Sequence, residues 1–232
     1  MTFETQPPRT TLKTAVLILI FLLGAALFWN RAGAADGGAT LPDPAVDAAS
    51  TASSGKQTAV IAGGCFWGIQ AVFQHVKGVE SATSGYSGGS AATAHYDDVE
   101  EGNTGHAESV KIVFDPAQIS YGQLLKVFFS VATDPTELNR QGPDTGSQYR
   151  SIIFYANDEQ KHVAESYISQ LQNAKSFRDP IVTQVVPLQA FYVAEGYHQN
   201  YATLHPNNPY IVFNDAPKVE HLRKLFPNLY KK

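Results

Sequence analysis

The stretch from Thr58 to Gly68 constrains the fold most tightly. A short apolar run, Thr58-Ala59-Val60-Ile61-Ala62, stops at Gly63-Gly64, and Phe66, Ile69, Phe73 and Val76 then recur at helical spacing. The pattern predicts a buried strand that turns sharply into a helix, with the glycines taking backbone angles that other residues resist. Cys65 falls at or near the helix start, where unpaired N–H groups and the helix dipole favour an anion. A thiolate is such an anion, so the position predicts a lowered thiol pKa and a nucleophilic sulfur. Position alone fits equally a buried cysteine acting as a small hydrophobe. Phe66 and Trp67 point about 100° apart on a helix, so at most one packs fully into the core. The other can wall a small apolar pocket beside the sulfur.

Cys65 is also the one cysteine in 232 residues. That excludes an intramolecular disulfide and a thiolate metal site built within one chain, and none of the metal-ligand spacings appears, so no metal is expected. With 17 basic and 21 acidic residues the net charge is -4, which argues against nucleic acid as the main partner. The 44% of hydrophobic residues suffices for a buried core.

Ala15 to Trp29 is an unbroken apolar run, preceded by Arg9 and Lys13 and followed by the small residues Ala32-Gly33-Ala34-Ala35. Residues 1–34 read as a signal peptide or an N-terminal membrane anchor. At about 1.5 Å per residue the run spans about 22 Å, short of a hydrocarbon core of roughly 30 Å, which favours cleavage. The expectation is an exported chain, periplasmic or extracellular-facing, with a membrane tether through residues 15–29 if that segment is retained. Residues 35–55, rich in Ala, Gly, Ser and Pro, read as a flexible linker. The globular domain is expected over 56–232, as a monomer.

Within it, Val79 to Tyr86, Ser109 to Phe114, Ser151 to Tyr155 and Val182 to Pro187 read as strands. Ser120 with Gln123 forms a capping box before an apolar helix, and Asn157 caps another. A short helix is expected around Val219 to Phe226. Strands and helices mix without strict βαβ alternation, so the class is α+β. The expected architecture is a two-layer α/β sandwich, a ferredoxin-like mixed sheet with helices packed on it and long ordered loops.

Four ordered segments carry a family resemblance. Gly64-Cys65-Phe66-Trp67-Gly68, Gly105-His106-Ala107-Glu108, Asp144-Thr145-Gly146-Ser147-Gln148-Tyr149-Arg150-Ser151 and His198-Gln199-Asn200-Tyr201 resemble the motifs of peptide methionine sulfoxide reductase type A. The Gly85 to Gly89 turn agrees as well, and the likeness runs from about Thr58 to Tyr210. The resemblance implies thiol-dependent reduction of the S epimer of methionine sulfoxide, in oxidised proteins and peptides and as the free amino acid. It implies Cys65 as nucleophile and Glu108 as the acid that protonates the sulfoxide oxygen. Tyr96 and Tyr149 would be phenolic donors to that oxygen, and Asp144 an anchor for the polar groups. Phe66 and Trp67 would form the methyl-binding wall. Read alone, Glu108 would be a solvated charge and the two tyrosines amphipathic surface residues. His106 and His198 receive no chemistry. No tightly bound cofactor is implied.

Many members of that family carry a second, resolving cysteine near the C-terminus, in a Gly-Tyr-Cys context. Here the chain reads Asn208-Pro209-Tyr210-Ile211-Val212-Phe213-Asn214. The expected reductant is therefore an external thiol: a thioredoxin-like or glutaredoxin-like protein, or a small thiol. Two other readings compete. One is a cysteine hydrolase or acyltransferase that pairs Cys65 with a histidine. The other is a non-enzymatic thiol redox sensor.

Overall fold

The computed structural model describes residues 41–48 and 55–232. The signal or anchor reading of residues 1–34 lies outside the described residues. Strand β1 (Gln57–Ala62) passes through Gly63-Gly64 into helix α1 (Phe66–Gln74), and β2 (Val79–Ser87) returns. A long ordered loop carries the short helix α2 (Tyr96–Val99) and leads to β3 (Ala107–Phe114). Helix α3 (Tyr121–Val127) runs on into a π-helical turn, Phe128–Ala132. A small hairpin, β4 (Arg140–Gln141) and β5 (Asp144–Thr145), precedes β6 (Ile152–Tyr155), α4 (Asp158–Asn173), β7 (Gln184–Pro187) and β8 (Tyr192–Val193). The C-terminal part holds α5 (Tyr201–Leu204), a π-helical turn at Ile211–Asp215, and α6 (Ala216–Leu225). Among the described residues no helix is long and apolar enough to cross a membrane.

The main sheet has the order β7-β6-β1-β3-β2-β8. Its inner strands β6-β1-β3-β2 pair antiparallel, with α1 and α3 as the crossovers. That is the ferredoxin-like arrangement, and the parallel pair of β6 and β7 makes the sheet mixed. The strand period sorts side chains between the two faces. Ala59 and Ile61 of β1 enter the main core, where Val72 and Phe73 of α1, Leu124 of α3 and Leu171 of α4 meet them. Val60 and Ala62 point the other way, into a small cluster with Ile152 and Phe154 that Val186, Leu188 and Phe191 cover.

Local signals explain the helix ends. The Ser120 hydroxyl accepts from the Gln123 N–H while the Gln123 amide oxygen accepts from the Ser120 N–H, the reciprocal capping box. Asn157 accepts from the Gln160 N–H. Strand β7 starts at Gln184, not at the expected Val182, because the Val182 N–H is drawn to the Pro135 carbonyl instead of the sheet.

Residues 41–48 fall inside the stretch whose composition reads as a flexible linker, yet they lie along α3 and α4. The Pro42 carbonyl accepts from the Tyr167 hydroxyl, and Asp43 Oδ1 stands 2.7 Å from Lys126 Nζ. Asp47 accepts from both the Ser120 hydroxyl and the Gly122 N–H at the start of α3. Composition misses this because the segment adheres through single side-chain acceptors and carbonyls, with Leu41 its one deeply buried apolar residue.

Candidate active site

The site forms where β1 ends and α1 begins. Gly64 sits at φ +105°, and an added Cβ there would overlap Gln141. The tight turn makes Cys65 the N-cap residue of α1, with the first helical N–H groups open on the side of the sulfur. One of them is taken by an acid: the Phe66 N–H donates to Glu108 Oε2 at 2.9 Å. Glu108 is placed by β3, two strands into the sheet, and is 4% exposed. It lines the same cavity as Cys65.

A cavity of about 190 Å³ opens at this point, lined by Cys65, Phe66, Trp67, Tyr96, Glu108, Asp144, Tyr149, His198 and Tyr210. All seven residues singled out in the sequence line it, although they come from five separate segments. Tyr96 arrives on α2, Asp144 on the β4–β5 hairpin, and Tyr149 on the 3-10 turn Ser147–Tyr149. A larger cavity, about 490 Å³, lies at the C-terminal end of α4 between Leu171 and Ile181. It holds no thiol and none of the aromatic donors, so size alone points away from the chemistry.

Two lining residues had no role in the sequence reading. Tyr210 donates its hydroxyl to Asp144 Oδ2. It follows Asn208-Pro209, the point where the expected resolving cysteine is absent, and its only advance signal is an aromatic after that turn. His198 is 2% exposed, and its Nδ1 accepts from the Trp67 indole N–H at 3.2 Å. Trp67 also stacks on Tyr201, with ring centroids 3.8 Å apart and planes 11° apart. The aromatic wall is thereby locked from both sides. His106 lies outside the cavity lining; its imidazole accepts from the Gly89 N–H and meets the Ser90 carbonyl at 2.9 Å, which pins the glycine-rich turn. Behind Tyr96, Glu195 accepts from the Tyr96 N–H at 2.9 Å and from the Tyr86 hydroxyl at 2.8 Å.

Burial sets the electrostatics. It holds Glu108 up to about 8, against the pull of the Phe66 N–H, with Asp144 and Asp215 adding to the rise. A carboxyl that stays protonated at neutral pH can donate. Burial, followed by the charges of Glu108 and Asp215, pushes the Cys65 thiol well above its ordinary value, although the Trp67 N–H pulls it down. This reverses the expectation of a lowered thiol pKa: the helix-start N–H groups are present, but desolvation and two neighbouring carboxyls outweigh them. Tyr96 is pushed up to about 12, and Tyr149 upward too, first by burial and then by Glu108. Both phenols therefore remain donors. Among the described residues no group of three or more His, Cys, Asp or Glu is placed to hold a metal ion.

The comparison with known families decides the assignment: the model of peptide methionine sulfoxide reductase matches residues 57–229. The chain belongs to the peptide methionine sulfoxide reductase family. It is similar to peptide methionine sulfoxide reductase MsrA 2 of Mesorhizobium japonicum, 59% identical over 77% of this chain and 92% of the relative. The corresponding Synechocystis protein is 51% identical over 82% of this chain and 90% of its own length. Among solved structures, methionine sulfoxide reductase A of Corynebacterium diphtheriae shares 34% identity with a TM-score of 0.57, over 73% of this chain and 85% of that one. Reduced Mxr1 of Saccharomyces cerevisiae gives 29% and 0.59, over 66% and 87%. As a methionine sulfoxide reductase the chain is an oxidoreductase.

Proposed function

We propose that this reductase acts on the S epimer of methionine sulfoxide, in oxidised proteins and peptides and as the free amino acid, with Cys65 as nucleophile and Glu108 as acid. The observation that carries it is the shared helix start, which sets a thiol and a protonated carboxyl within reach of each other. Phe66 and Trp67 hold the methyl group so that the sulfoxide sulfur faces Cys65 Sγ, while Glu108, Tyr96 and Tyr149 surround the oxygen. Asp144, accepting from Tyr210, anchors the polar side of the cavity.

The step balances within the pocket. Cys65 sulfur attacks the sulfoxide sulfur as Glu108 gives its proton to the oxygen and the thiol proton passes to the Glu108 carboxylate. The S–O bond breaks, oxygen moves to Cys65 as a sulfenic acid, and the substrate leaves as the thioether. The substrate sulfur is reduced by two electrons and Cys65 is oxidised by two. No net charge develops in a desolvated site, which suits a raised thiol pKa better than a standing thiolate does. An external thiol, from a thioredoxin-like or glutaredoxin-like protein or a small thiol, then attacks the sulfenic acid. Water leaves as a mixed disulfide forms, and a second thiol opens it, so that Cys65 is reduced and the external thiols leave as a disulfide. The single cysteine supports this, because the chain has no internal resolving thiol.

The apolar run at residues 15–29 supports export, periplasmic or extracellular-facing, with the segment cleaved or retained as a tether. Epimer-resolved reduction of a methionine sulfoxide peptide, run with each class of thiol, tests substrate, stereochemistry and recycling together. The expected result is loss of the S epimer alone, dependent on added thiol. Equal consumption of both epimers, or sustained turnover without thiol, contradicts the proposal.

A further inference from the structure

One buried acid beside the site takes no part in the chemistry above. Asp215 closes the π-helical turn Ile211–Asp215 and is 0% exposed, and neither carboxylate oxygen has a hydrogen-bond partner. Its Oδ1 lies over Gly68 in the first turn of α1, one turn from Cys65, where an added Cβ would overlap it. Lys218, one turn on and at the start of α6, brings Nζ to 3.6 Å from Oδ1. A carboxyl stripped of both water and hydrogen bonds is costly, and a lone lysine at that distance offsets only part of the cost. Asp215 is absent from the cavity lining.

We propose that Asp215 and Lys218 form a positioning pair that sets how readily Cys65 ionises, with the Asp215 charge under the first turn of α1 holding the resting thiol in its protonated, unreactive form. The charged and titratable groups around Asp215 are few: Lys218 on α6, Cys65 at the head of α1, Asp144 on β5, Glu108 on β3 and Tyr210 before the turn. Burial lifts Asp215 to about 6, with Lys218 pulling it back, so it is ionised at neutral pH and above. There its charge raises Cys65 while Lys218 lowers it. The device suits a chain with one cysteine. Thiolate is the form that oxidants and alkylating agents attack, and a thiol kept protonated until sulfoxide enters is spared side reactions.

The proposal rests on Cys65 being the reacting thiol, and its test uses no sulfoxide, so it can fail while the reductase reading stands. Because Cys65 is the sole cysteine, iodoacetamide uptake by the full chain reports on it alone. D215N should alkylate about tenfold faster at pH 7, the gain for a thiol pKa lower by one unit. K218M, which leaves the Asp215 charge uncompensated, should alkylate more slowly than wild type at pH 9. Opposite signs matter here, since loosening the fold with either substitution would expose Cys65 and speed both. An unchanged rate in D215N, or a faster rate in K218M, overturns the proposal. If D215N does not fold, the K218M rate alone decides.

Discussion

The Phe66 N–H donates to Glu108 Oε2 at 2.9 Å, so the first helical N–H after the nucleophile is spent on the acid. One helix start thereby fixes the proposed acid beside the proposed nucleophile, from distant parts of the chain. Glu108 lies 42 residues beyond Phe66 and reaches it because β3 pairs with β1, with Ser109 opposite Ala62. The geometry makes acid and nucleophile a unit, and their substitutions should not be additive.

Glu108→Gln keeps the side-chain shape and an acceptor for the Phe66 N–H but has no carboxyl proton to give. The expected loss in kcat is on the order of 10²- to 10⁴-fold, with the fold retained by circular dichroism. Activity within a few-fold of wild type would remove Glu108 from the mechanism.

The same carboxyl makes stability depend on pH. Its folded pKa, about 8, lies above its unfolded value, so the native state holds a proton that the unfolded chain has released. That contribution is full below about pH 4.3 and is lost as pH rises towards 8. Asp215, raised to about 6, adds a similar loss lower in the range. Urea midpoints should therefore fall between pH 6 and pH 8, and Glu108→Gln should flatten that fall. A parallel decline in both proteins would contradict the assignment.

Tyr210 bonds Asp144 across the cavity. Tyr210→Phe removes one hydrogen bond to a charged group, worth about 1.5–3 kcal/mol, and releases the carboxylate that anchors the polar wall. Steady-state kinetics should show a fall in kcat of about tenfold or more with the fold intact. An unaltered kcat would make Tyr210 a lining residue only.

His198 Nδ1 can accept the Trp67 indole N–H only while that nitrogen carries no proton. Burial lowers the His198 pKa, which keeps the ring neutral at working pH. His198→Phe should raise KM more than it lowers kcat, because it frees the wall without touching the reacting groups. A change confined to kcat would speak against a positioning role.

Much of this was legible in advance, for identifiable reasons. The apolar run ending at Gly63-Gly64 could only be a strand entering a tight turn, and the alternation of Val110, Ile112 and Phe114 marked a half-buried strand. Capping signals at Ser120 and Asn157 were local, and local signals survive folding. The cavity residues were found through matched motifs, not through spacing, since nothing in a single chain shows that Tyr96, Asp144 and Tyr149 converge. What stayed hidden depends on burial. A helix start argues for a thiolate, but it gives no sign that burial, with the charges of Glu108 and Asp215, raises the thiol instead. Tyr210 and His198 were hidden because ordinary aromatics become site residues only when the C-terminal segment folds over α1. Residues 41–48 were hidden because Asp47 acts as a cap for α3 across 75 residues of chain.

In the proposed reaction Cys65 itself takes the sulfoxide oxygen. A single-turnover experiment tests it most directly: reduced full-length protein, an excess of the S-epimer peptide, no thiol, and dimedone to trap sulfenic acid. Methionine should form in a burst equal to the protein present, with matching dimedone label on Cys65 and neither product from Cys65→Ser. Methionine formed without label on Cys65, or a burst that survives Cys65→Ser, would contradict it.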